Sequence, residues 1–76
     1  MITPQITIRR KADKVEFLSR SGARVAYIED LMDEITYDPY ADTEAVMTGF
    51  SYEVFFREHG ITVSNARAIA DMSEPR

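Results

Sequence analysis

The chain is predicted to fold as an α+β domain: a small antiparallel β-meander of three to four strands, followed by two or three short α-helices packed on one face. Three observations carry this. The first third alternates apolar and polar residues with the period of half-buried strands. Its extended pieces are separated by turns too short for a crossover, which favours antiparallel hairpins. Beyond Asp38, capping residues and glycines punctuate segments of helical composition.

The elements follow in order. "QITIRRK" sets Ile6 and Ile8 against Thr7 and Arg9, and "KADK" supplies a short polar turn. "VEFLS" sets Val15 and Phe17 against Glu16 and Leu18. Gly22 in "RSGAR" suits a turn that needs a positive φ. A strand is expected at residues 24–29 and a short one at 34–37, since Ile35 and Tyr37 alternate in a β-prone run. Val25, Ile28, Met32 and Ile35 also fall at helical spacing, so one helix over 24–36 is the alternative. In "DPYADTEAVMTGF", Asp38 is expected to cap a helix, with Pro39 at its first position and Asp42 and Glu44 near the positive end of its dipole. Gly49 weakens that helix. Ser51 caps "YEVFFREH", which Gly60 closes; "ITV" is an extended connector; Ser64 caps "NARAIADM". The expected core is Ile6, Ile8, Val15, Phe17, Val25, Tyr27, Val46, Met47, Phe50, Val54, Phe55, Ile61 and Ile69. Residues 1–76 read as one domain, with 72–76 a frayed tail.

Composition narrows the class. At 76 residues without cysteine, the chain has no disulfide and no thiolate metal site, and His59 alone cannot build a zinc centre. Such a chain buries only about 60% of its unfolded surface, so its margin of stability is thin. No apolar run is long enough to span a membrane, and "MITPQITIRRK" lacks the order of a signal peptide. A cytoplasmic, unprocessed protein is the expectation, in a host cytoplasm if phage-encoded.

Charge is the most informative feature. Residues 1–24 hold six basic residues against two acids, +4; residues 25–76 hold three against eleven, −8. Most of the negative charge lies in "YIEDLMDEITYDPYADTE" (27–44), which has seven carboxylates and no Lys or Arg. A solvated face usually mixes signs. The candidate partner-binding residues are therefore Tyr27, Glu29, Asp30, Asp33, Glu34, Tyr37, Asp38, Asp42 and Glu44. Fixed carboxylates can imitate the phosphate array that Lys- and Arg-rich grooves bind, and aromatics among them suit an interface. Asp38, Asp42 and Glu44 also have a structural explanation as a helix start; Glu29, Asp30, Asp33 and Glu34 do not. The basic residues of 9–24 are read as a sheet face, or as the counterpart of the acidic stretch in a homodimer.

Catalysis has no assembled site. His59 beside Glu58 is no triad, and no Gly-framed nucleophile accompanies it. Asp33 and Glu34, adjacent in sequence, point apart, and "DPYADTE" lacks the spacing and glycine of a calcium loop. The expectation is a non-enzymatic protein without metal or cofactor.

"YEVFFREHGITVSNARAIAD" (52–71) resembles the helix–turn–helix family of DNA-binding regulators. Gly60 falls at that motif's turn glycine, and Ile61, Ala66 and Ile69 match its small or apolar positions. The resemblance implies that Ser64, Asn65 and Arg67 open a recognition helix. Phe56, where the family has Ala, and His59, where it has an apolar residue, depart from it. Arg57 and Arg67 are offset by Glu53, Glu58 and Asp71, whereas a DNA reader needs a basic footprint. A transcriptional regulator is therefore the alternative expectation. The leading one is an inhibitor or modulator that covers a nucleic-acid-binding or subunit-contact site of a basic protein or complex. Its profile is similar to that of phage and mobile-element anti-defence factors, anti-CRISPR proteins among them. An antitoxin-like neutraliser is the same device aimed at a toxin.

Overall fold

The computed structural model describes residues 6–38 and 40–73. Four strands, β1 (Thr7–Lys11), β2 (Lys14–Leu18), β3 (Arg24–Glu29) and β4 (Thr36–Tyr37), form one antiparallel sheet in sequence order. Helices α1 (Thr43–Thr48), α2 (Tyr52–Glu58) and α3 (Val63–Ser73) follow. This is the predicted α+β architecture; residues 24–36 are not one helix.

Short turns fix the register. Lys11 pairs with Lys14, leaving Ala12 and Asp13 as a two-residue hairpin with Ala12 at φ 54°. Ser19 to Gly22 make the second turn, closed by the Gly22 N–H on the Ser19 carbonyl at 2.9 Å. A bulge at Phe17/Leu18 shifts the β2–β3 register. One row across the sheet is then Ile8, Phe17, Ala26 and Tyr37; the next is Arg9, Glu16, Tyr27 and Thr36. Side chains alternate faces along a strand, so these rows lie on opposite sides. The first meets the helices.

The helices start where side chains satisfy their free N–H groups. Asp42, not Asp38, caps α1 by accepting from the Ala45 N–H, and Gly49 ends it at φ 73°. Asp38 is withdrawn from capping by Arg24, whose guanidinium grips both its oxygens at 3.0 and 3.2 Å. The expected role of Pro39 lies outside the described residues. Ser51 caps α2 as predicted. The Thr62 hydroxyl, not Ser64, accepts the Asn65 N–H at the start of α3, because Val63 is already helical. The helix runs through Met72 and Ser73, which the sequence assigns to the tail; residues 74–76 lie outside the described residues.

Val15, Phe17, Val25, Ala26, Ile28, Phe56, Ala66 and Ala70 form the buried core. Ile6, Ile8, Phe55 and Ile61 pack at its margin, and Phe50 is half-buried. Val46, Met47, Val54 and Ile69, expected inside, are exposed. The reason is size. Helix α3 turns Ala66 and Ala70 to the sheet, and their small side chains let it approach closely, so Ile69 falls on the outer side. Of α1, only Ala45 is buried. Tyr27 lies on the sheet face opposite the helices. Among the described residues no helix is long and apolar enough to cross a membrane.

Candidate functional site

The acidic stretch does not form one surface. Strand β4 returns along β3, the Asp38 N–H donating to the Val25 carbonyl at 2.8 Å. The carboxylates of 29–34 therefore collect at one end of the hairpin and those of 38–44 at the other. Four residues of strand separate the ends, roughly 14 Å at about 3.4 Å per residue.

The first end is a loop built by an arginine from α3. Arg67 Nη2 donates to the carbonyls of Glu29 (3.1 Å), Asp30 (3.1 Å) and Met32 (2.7 Å), and Nη1 reaches Asp33 Oδ1 at 3.5 Å. Nη2 has two hydrogens for three carbonyls, so one bond is shared. Below the loop, Arg10 Nη1 meets Asp30 at 2.9 Å and its Nε meets Asp71 at 3.0 Å. Those two bonds raise the Arg10 pKa further above its already high ordinary value. With its backbone held, the loop turns Leu31 (97% exposed) and the Asp33 side chain (96%) into solvent. Glu29 and Glu34 are also exposed, without a cation within 4.0 Å among the described residues.

The other end is structural first. Arg24 binds Asp38, stands 3.7 Å from the buried Glu16, and lies 4.5 Å over the Tyr27 ring; Lys14 lies 5.3 Å from the same ring. Arg9 completes the chain of charges, its Nε and Nη2 on Glu16 at 3.0 and 2.9 Å. The Asp38 hydrogen bonds are the main cause of a raised Arg24 pKa. Tyr27 and Tyr37 are not neighbours: Tyr27 belongs to this basic face, and Tyr37 packs on Phe56 at 5.6 Å on the other. Asp42 receives the Tyr52 hydroxyl in a short hydrogen bond beside its capping bond. Burial, then that bond, push the Tyr52 phenol well above its ordinary pKa. Tyr37 shifts upward too, through burial and then the field of Glu53. Glu44 sits exposed in the first turn of α1. Tyr40 holds φ 67°, a left-handed conformation that costs a side-chain-bearing residue about 1–2 kcal/mol, and the residue is 80% exposed.

Of the residues that the helix–turn–helix resemblance singles out, Phe56, Asn65 and Arg67 make contacts within the fold. Asn65 Nδ2 donates to the Gly60 carbonyl at 3.0 Å, closing the α2–α3 turn. Ser64 is exposed. Arg67 is committed to the acidic loop. Phe56, large where the family is small, packs tilted against Phe17 with ring centres 4.8 Å apart and is buried in the core. His59 ends α2 against the Phe55 ring. Among the described residues no group of three or more His, Asp or Glu is placed to hold a metal ion.

The sequence shows the carboxylates but not their partners. Arg10, Arg24 and Arg67 interleave in space with a stretch that has no cation in sequence, and no local signal marks them. No family model, curated protein or solved structure matches this chain.

Proposed function

We propose that this chain is a non-enzymatic binding protein that inhibits or modulates a basic protein or complex through the loop Glu29–Glu34. One observation carries the reading: a helix-borne arginine pins three carbonyls of a loop whose tip exposes Leu31 and Asp33. A merely solvated charged segment needs no such bracing. A pre-ordered loop binds without the entropy cost of ordering itself. Its exposed leucine, on a loop that also carries Glu29 and Glu34 without a cation among the described residues, suits a pocket rimmed by Lys or Arg.

The split of the stretch favours a discrete contact over a continuous phosphate-like array. The action is occlusion of a nucleic-acid-binding or subunit-contact site, as expected of an anti-defence factor of the anti-CRISPR kind. The test is affinity capture from the native host, with mass-spectrometric identification and a salt series. Capture of a Lys/Arg-rich protein, weakened by salt and reduced at least about tenfold in affinity by Asp33→Lys with Glu34→Lys, is expected. Unchanged affinity in that double variant would sink the reading.

A further inference from the structure

A second feature lies at the far end of the hairpin, where the chain leaves β4 and enters α1 and α2. There a cavity of about 190 Å³ opens between these elements. Tyr37, Tyr40 and Tyr52 line it together with Asp38, Asp42 and Glu53, and no Lys or Arg is among its described lining residues. We propose that this cavity binds a cationic side chain, an arginine of the partner.

Size selects first. Pockets for cofactors and drug-sized ligands usually span about 300–1,000 Å³. This one is too small for them and suited to one long side chain. Chemistry selects next. Three tyrosine rings border the cavity, and the face of such a ring attracts a cation within about 6 Å of its centre. The carboxylates supply charge where the rings supply surface. Asp38 is held by Arg24, and Glu53 has Arg57 at 3.5 Å on the exposed side of α2. Asp42 has only neutral donors, the Ala45 N–H and the Tyr52 hydroxyl, and no cation within 4.0 Å among the described residues. A planar guanidinium stacks on aromatic rings and donates in the same plane to a carboxylate, which an ammonium cannot do. The same pairing occurs within the chain, where Arg24 covers Tyr27 while binding Asp38.

Tyr40 fits this use. It accepts a left-handed backbone and leaves its ring in water at the rim of the cavity. A glycine would relieve the strain and remove the rim. Burial pushes the Tyr37 and Tyr52 phenols further above their ordinary pKa.

The identity of the occupant rests on the proposed basic partner, but the cavity is tested without one. The full ¹⁵N-labelled chain is titrated with N-acetyl-arginine methylamide, and in parallel with the lysine and citrulline analogues. Saturable shifts at the amides of Tyr40 to Ala45 and of Tyr52 and Glu53 are expected, with a Kd on the order of 1 mM. The neutral citrulline analogue should bind at least about fivefold more weakly, as should Asp42→Asn, whose Asn keeps the cap, and Tyr40→Ala. Equal binding of citrulline, tighter binding of lysine, shifts confined to residues 29–34, or no saturable shift would each overturn the assignment. Asp33→Lys with Glu34→Lys, which weakens partner capture in the reading above, should leave this titration unchanged. The two readings therefore fail separately.

Discussion

Replacing Arg67 by Met removes four hydrogen bonds, three of them to backbone carbonyls of the acidic loop. The side chain is 29% exposed, so water replaces part of the loss. A destabilisation of about 1–2 kcal/mol is expected in urea unfolding. Faster hydrogen exchange at the Met32 and Asp33 amides should accompany it. Arg67→Lys should recover little, because an ammonium cannot reproduce the guanidinium fork. A DNA-reading arginine would behave otherwise: its loss would leave stability unchanged and abolish binding. The same residue thus decides between the two expectations drawn from the sequence.

At the scale of elements, α1 is six residues long, too short to persist without caps. Gly49 supplies one of them, its N–H turned back to the Ala45 and Val46 carbonyls at φ 73°. A Cβ there would meet nothing within 4 Å, so Gly49→Ala should cost about 1–2 kcal/mol through conformation alone. Chemical denaturation of the pair checks this; equal midpoints would mean that α1 does not depend on its left-handed end. Signals of this local kind are what the sequence transmits well. Ser51, Gly60 and the alternation in β1 to β3 are legible because cap, turn and strand period each reside in neighbouring residues. The role of Asp38 is not legible locally, because it is set by Arg24, fourteen residues away. The apolar stripe Ala66, Ile69 and Ala70 is legible in α3, but apolar bulk favours Ile69 as its core member, whereas close packing of a helix on a sheet selects the two alanines. The candidate site shows the same division. Its carboxylates could be counted from the sequence, but their partition between two ends follows from β4, and their cations come from distant segments.

For the whole molecule, alkaline pH tests the half-buried Tyr52 phenol. Folding raises the Tyr52 pKa above its ordinary value of 10.0. Its contribution is therefore complete below about pH 10 and is lost as pH rises toward the folded value, because the unfolded chain releases the proton first. Tyr52→Phe should be less stable than the parent at pH 8 by about 1 kcal/mol, the value of a typical hydrogen bond. That difference should shrink above pH 10. A gap that stays constant would show that the Asp42 contact does not depend on the phenol proton. The path of the chain has a further consequence, which concerns time. Each strand pairs with its sequence neighbour, so the sheet closes through short loops. The bond between Arg10 and Asp71 spans 61 residues and requires α3 to return to β1. During synthesis the hairpins can form while α3 is still in the ribosome, but the loop Glu29–Glu34 lacks its brace until Arg67 emerges. Under the proposed function, binding competence is thus expected to appear as a late event in the life of each new chain, after the sheet and not with it.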